Sequence, residues 1–509
     1  MAAAAAAAAA DDDFGPAPAF LSAIVPTDTT LYCFFDLLGS GLDKLNVEID
    51  MVVDGVNNYT VVVPGSSATP ASFGGGADSL WVVSTTQHMQ GGSAYNISIR
   101  TVDPSTHAAS PYSYLPFHRS ELPASYKGVV ASAAISPQVF EATYGIMPAT
   151  ATAGASQAVA EFGGEYMNVT DFETYLARFN ISSPSVVFHG PNNQTTPGME
   201  AQMDIELIQG LAPNAQSTFW SLGGDSFILD WAMQMSNATN PPLVTSISYA
   251  TPESTLPSDY FSRCNTELMK LCARGLSVVT GAGDAGASNF GHGSAKCGLT
   301  PMYPASSPFI TTTSATYPTP VAAKRLNGQL GEIAISVQGG SFWTTGGGFS
   351  NQAASRQPEY QSKVVTHYLN TAKLPSLTFN KTGRAYPDIS AIGTNYWMTI
   401  EGETYPLGAG TSSSTPTFSA ILTRLNDARM HAGLPPVGFV NPLLYKLAAT
   451  TPQAFYDVTI GNNRCGEFLC CPQGFEATEG WDAVTGLGTV GDYGALQAAV
   501  LDAATAVRA

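Results

Sequence analysis

The sequence predicts an α/β fold, a mostly parallel sheet with helices on both faces, preceded by a smaller β-rich N-terminal domain. Two observations lead there. Downstream of residue 129, short apolar runs rich in Val, Ile and Thr alternate with segments of helical period, the pattern of a parallel sheet wrapped by its own crossovers. Upstream, strand-like runs follow one another with only Gly, Pro, Ser and Asn turns between them. At 509 residues the chain exceeds the size of a single core, so one large unit and one small unit are expected.

Residues 1–20 are a low-complexity start: Met1 is followed by nine alanines and then Asp11-Asp12-Asp13, without the basic segment or strongly apolar stretch of a secretory signal. In 21–109, Leu45–Val53, Tyr59–Val63, Ser79–Val83 and Tyr95–Arg100 read as strands of a β-sandwich-like accessory or propeptide-like domain. Residues 110–128 read as a linker to the large domain, 129–509.

Within that domain, strands are expected at Ala158–Phe162, Val186–His189, Ser217–Ser221, Val244–Tyr249 and Leu276–Thr280. Pro197 opens a helix over 198–211, on which Met199, Met203, Leu207 and Leu211 recur at helical spacing. Glu200 and Asp204 then lie one turn apart on the same face. Two carboxyls held close in a partly dry cleft share a proton, which raises one pKa and leaves the ionised partner as a base suited to acid. Asp284 follows the run 276–280 at the strand end where open α/β sheets place ligands. Kept protonated, it can donate a hydrogen bond to a developing oxyanion. In Gly410-Thr411-Ser412-Ser413-Ser414-Thr415-Pro416 a turn enters a helix, Pro416 is expected in its first turn, and the Ser412 hydroxyl is presented near the positive helix end.

These residues, in this order, resemble the sedolisins, the serine-carboxyl peptidases. The likeness extends from about Ile135 to Leu496 and includes Ile135-Ser136-Pro137-Gln138-Val139-Phe140, Tyr303-Pro304-Ala305-Ser306-Ser307-Pro308-Phe309, Gly346-Gly347-Gly348-Phe349-Ser350 and Gly383-Arg384-Ala385-Tyr386-Pro387-Asp388. The resemblance implies a subtilisin-like fold, with Ser412 the nucleophile, Glu200 its general base, Asp204 the carboxyl orienting Glu200, and Asp284 the oxyanion stabiliser. The reaction implied is peptide hydrolysis through an acyl-enzyme at acid pH, roughly 3–5.5. Release of N-terminal tripeptides is favoured over endopeptidase cleavage, and peptides or unfolded proteins are the expected partners. It also implies one structural calcium ion on the carboxylates of Asp457 and Asp482 and the carbonyls of Val458, Thr478 and Gly480, a mixture of oxygens that calcium favours. Members of the family carry a longer α/β propeptide where this chain has strands, so removal of that segment at low pH is not carried over.

A formal net charge of −18 disfavours binding to nucleic acid, and no run of about 18 strongly apolar residues argues for a membrane span. Seven cysteines, Cys33, Cys264, Cys272, Cys297, Cys465, Cys470 and Cys471, show no zinc spacing. The resemblance pairs Cys297 with the region of the last three. Cys264 and Cys272 could pair locally, although an intervening helix would hold them too far apart. Sequons at Asn58, Asn96, Asn168, Asn180, Asn193, Asn237 and Asn380 suit a glycosylated, lysosomal, vacuolar or secreted protein. Two rival readings are a Ser-His-Asp peptidase using His189 or His292, and a catalytically silent secreted binding protein.

Overall fold

The structure is a computed structural model. It describes residues 134–505 except 148–153, 224–226, 289–297, 320–321, 323, 340, 342, 467–470 and 472, together with the backbone of eight strands between 19 and 118. The chain divides into two compact units, 1–131 and 132–509.

The first unit holds two four-stranded antiparallel sheets. One runs in the order Ala19–Thr27, Thr30–Leu37, Ser79–Thr85, Thr69–Ala71, and the other Asn57–Pro64, Asn46–Val53, Ala94–Val102, Ser113–His118. Four strands correspond to the sequence reading. The two N-terminal strands and the short Thr69–Ala71 strand were not expected, and Ser113–His118 pairs with Ala94–Val102 inside the segment read as a linker. Its Tyr-Leu-Pro-Phe alternation is short and broken by Pro116, which an edge strand tolerates and a central one does not.

The second unit is built on an eight-stranded sheet. Its path is Val187–His189, Gln216–Ser221, Ser156–Glu161, Val244–Ile247, Ser277–Gly281 and Thr311–Thr319, the last also pairing with Ile389–Ile392 in parallel and with Gly331–Ala334 antiparallel. All five strands expected from the sequence are present. Residues alternate between the faces as a pleat requires. Val159 and Phe219 meet Ala201, Ile205 and Ile208 of the helix Met199–Leu211 on one face, whereas Ala160, Trp220 and Ile247 meet Trp231 and Phe261 of the helices Ile228–Asn237 and Ser258–Ala273 on the other.

Chain order and sheet order diverge around Ser156–Glu161: the chain goes first to the edge strand 187–189, steps back in to 216–221 beside Ser156–Glu161, and then crosses to 244–247 on its other side. A crevice opens at the carboxyl ends of strands at such a switch point. Glu161, fully buried, closes the strand at that place. The long helix Thr411–His431 packs over the sheet, with Phe418, Ile421 and Leu425 in the same core as Val244, Val279 and Ile392.

Candidate active site

The helix Met199–Leu211 is buried from Ala201 to Leu211, and Glu200 emerges, partly exposed, in its first turn. Asp204, one turn on, is fully buried. Opposite them, every residue of the helix Thr411–His431 from Thr411 to Asn426 is buried except Ser412. The Ser412 hydroxyl lies beside the Glu200 carboxyl, close enough to lower its pKa. Serine and carboxylate therefore lie together, as the resemblance implied.

Gly410 makes that approach possible. Its φ of 102° lies in the left-handed region, and a Cβ there would come within 2.6 Å of Asp284 Oδ2. The Thr411 backbone N–H and hydroxyl donate to Asp284 Oδ1 at 2.8 and 2.6 Å. Asp284 is thus bound to the first turn of the serine helix, three residues beyond the strand Ser277–Gly281.

The structure corrects one expectation. Pro416 is the sixth residue of the helix rather than part of its first turn, so it removes the N–H that would bond the Ser412 carbonyl. The Ser248 hydroxyl, just past the strand Val244–Ile247, donates to that carbonyl at 3.2 Å instead. Sequence reasoning left Ser248 without a role.

It also missed two carboxyls. Glu161 accepts from the Tyr249 hydroxyl at 2.8 Å, and burial pushes its pKa up to about 8. Glu165 lies beside the start of the helix that carries Glu200, and burial raises its pKa too. The pKa values of Glu200 and Asp204 stand well above the usual carboxylate range, first through desolvation: Asp204 is fully buried, and Glu200, partly exposed as a residue, has its Oε1 shut off from water. Ser412 partly relieves Glu200 and Ser248 partly relieves Asp204, while Glu161 and Glu165 act repulsively on both. All the charges acting on this pair are carboxylates. Glu161 had one sequence signal, an acidic residue closing an otherwise small and apolar strand, Ala158-Val159-Ala160-Glu161.

His189 does not reach the serine. It is exposed on the edge strand, two strand positions from Glu161, and its ring stacks on Trp220 with centroids 3.8 Å apart. His292 lies outside the described residues.

The two segments expected to hold calcium face one another. Gly480 N–H donates to Asp457 Oδ2 at 2.8 Å, and the Thr485 hydroxyl bridges the Val458 carbonyl at 3.2 Å and Asp482 Oδ2 at 3.1 Å. Asp482 is buried and also accepts from the N–H groups of Thr478, Val484 and Thr485 at 2.8–3.0 Å. Among the described residues no group of three or more His, Cys, Asp and Glu is arranged for a metal, so the set has two carboxylates and would draw further ligands from carbonyls. Cys465 and Cys471 each take part in a disulfide, whereas Cys264 and Cys272, both on the helix Ser258–Ala273, are free. Among the described residues, no helix is long and apolar enough to cross a membrane.

No family model matches the chain. Among curated proteins it is 34% identical over 370 residues to tripeptidyl-peptidase 1 of Canis lupus familiaris, a match covering 70% of this chain and 62% of that one. It is 35% identical over 343 residues to tripeptidyl-peptidase 1 of Dictyostelium discoideum, covering 66% and 53%, and 33% identical over 389 residues to physarolisin of Physarum polycephalum, covering 70% and 66%. The chain thus spans less than two thirds of the length of the first relatives it matches. Among solved structures it resembles Pseudomonas sedolisin (serine-carboxyl proteinase) complexed with two molecules of pseudo-iodotyrostatin, with a TM-score of 0.58 at 21% identity, covering 74% of this chain and 99% of that one. That likeness shows the fold.

Proposed function

Because the chain belongs to the sedolisin family of serine-carboxyl peptidases, most like tripeptidyl-peptidase I, we propose that it hydrolyses peptide bonds through an acyl-enzyme in acid, releasing N-terminal tripeptides. The observation that carries this reading is the placing of the Ser412 hydroxyl beside the Glu200 carboxyl, in a pocket where the neighbouring charges are carboxylates and no histidine approaches among the described residues. As Ser412 Oγ attacks the substrate carbonyl, its proton passes to Glu200, and Asp204 one turn away stabilises that proton by sharing it. The carbonyl oxygen gains its negative charge beside Asp284 and the first turn of the serine helix. A protonated Asp284 and the helix N–H groups stabilise it there. Glu200 then returns the proton to the leaving amine, and a water molecule, deprotonated by Glu200, releases the acyl group.

Calcium at Asp457 and Asp482, with the carbonyls of Val458, Thr478 and Gly480, belongs to the same reading as a structural ion. The support is the meeting of the two segments and an all-oxygen donor set. Lysosomal, vacuolar or secreted placement and glycosylation are part of the same proposal, supported by the sequons and by the likeness to tripeptidyl-peptidase 1. Asn193, exposed, with its Oδ1 accepting from Thr195 N–H and hydroxyl, offers a surface acceptor. Labelling with a fluorophosphonate serine probe at pH 4 tests the proposal. Labelling of the wild-type protein and none of Ser412→Ala is expected. Equal labelling of the two would refute it.

A further inference from the structure

The helix Met199–Leu211 starts without a cap of its own: its N-cap residue is Gly198, which has no side chain to offer. The first N–H groups of a helix need acceptors, and an uncapped first turn frays. Here the acceptor comes from elsewhere in the chain. Gly163 and Gly164, with φ of 66° and 85°, turn the backbone after the strand Ser156–Glu161, and Glu165 N–H closes the turn on the Phe162 carbonyl at 3.2 Å. The turn aims Glu165 back at Gly198, and the Gly198 N–H donates to the Tyr166 carbonyl at 2.8 Å, fixing the two segments together. The Glu165 carboxylate lies against the backbone N–H groups of Glu200 and Ala201, near enough for them to lower its pKa against the effect of burial. It occupies the very space a side chain at 198 would need: a Cβ there would lie 1.5 Å from Glu165 Oε2 and 2.8 Å from Oε1.

We propose that Glu165 is a positioning residue, a cap supplied by the loop after the strand Ser156–Glu161 that fixes the first turn of the base helix and thereby holds Glu200 against Ser412. This inference rests on the peptidase reading of Ser412 and Glu200. Glu165 touches the backbone of Glu200 and not the reacting atoms, so it acts through that residue. Its carboxylate also faces Glu161 from the strand and Glu200 and Asp204 from the helix, and a negative charge there makes each of them harder to ionise.

Three variants separate geometry from charge. Glu165→Gln keeps an acceptor oxygen and loses the charge, Glu165→Ala loses both, and Gly198→Ala displaces the carboxylate without altering it. Steady-state hydrolysis of a tripeptide-amide substrate should show kcat reduced at least about tenfold in Glu165→Ala and Gly198→Ala with KM changed less than about twofold, and restored to within about threefold by Glu165→Gln. Infrared titration of the carboxyl C=O band needs no turnover. In Glu165→Gln the Glu200–Asp204 pair should ionise at lower pH by about 0.5 to 1. If the Ala variants fail to fold, Glu165→Gln and the infrared titration decide the matter. Wild-type kcat in folded Glu165→Ala, or an unmoved titration in Glu165→Gln, would overturn the proposal. Failure of the peptidase reading would show differently, as undiminished hydrolysis by Ser412→Ala.

Discussion

Neutral and alkaline pH should destabilise the large unit through Glu161. Its side chain is fully buried, accepts one hydrogen bond from Tyr249, and has its pKa pushed from 4.5 to about 8. A folded-state value above the unfolded one means that the folded protein holds the proton longer. Its contribution to stability is complete below about pH 4.5, falls as the unfolded chain alone ionises, and is lost by about pH 8. A separation of about 3.5 in pH, at about 1.4 kcal/mol for each, gives an upper bound near 5 kcal/mol. Glu165 is coupled to Glu161, and the raised pKa values of Glu200, Asp204 and Glu206 act with the same sign, so the wild-type slope holds several contributions. Glu161→Gln isolates one of them, because an amide mimics the protonated acid and still accepts from Tyr249. Urea unfolding midpoints at pH 4.5, 6, 7 and 8 should show wild type losing at least about 2 kcal/mol more than Glu161→Gln across that range. Identical slopes for the two proteins would refute the reasoning.

Other outcomes can be measured directly. Ser412→Ala and Glu200→Gln should each lower peptide turnover by several orders of magnitude in folded protein, whereas Asp284→Asn should be severe but milder because an amide still donates. The pH–rate profile should be bell-shaped. Since burial lifts Glu200 and Asp204 above the ordinary carboxylate range, the optimum belongs at or above the upper end of pH 3–5.5, and an optimum above 7 would count against a carboxylate base. Gly410→Ala should cost at least about 2 kcal/mol by thermal denaturation and abolish activity, through its left-handed backbone and the Asp284 contact. Chelation, or Asp482→Ala, should lower the melting temperature, with activity falling only as structure is lost. A calcium-insensitive Asp482→Ala protein with full melting temperature would show an ordinary turn.

The residues proposed as catalytic could be picked out because each sits at a place that local sequence marks: a helical repeat for Glu200 and Asp204, a strand end for Asp284, a turn into a helix for Ser412. Glu161, Glu165 and Ser248 were not, since what makes them matter is proximity across the sheet. Gly163-Gly164 announces a turn, but only the fold shows that it delivers Glu165 onto Gly198. Pro416 was misplaced for a related reason. Proline at a helix start and proline one turn later look alike in sequence, and the partner that makes the later position tolerable, Ser248, is 168 residues away from it. The upstream strands were partly read, while Ser113–His118 was lost to its short, proline-broken pattern.

The burial of the serine helix on all sides has a consequence for how the protein breathes. A side chain on an exposed loop can be lost through local fraying while the rest of a fold persists, but Thr411 to Asn426 is buried apart from Ser412, with Phe418, Ala420, Ile421, Leu422 and Leu425 in the core shared with the sheet. Amide protons of the helix interior should therefore exchange with solvent only in the global unfolding event, at the slowest rate in the molecule. Loss of the geometry around Ser412 and loss of the fold become a single transition, so the placing of Ser412 is as durable as the domain and no more.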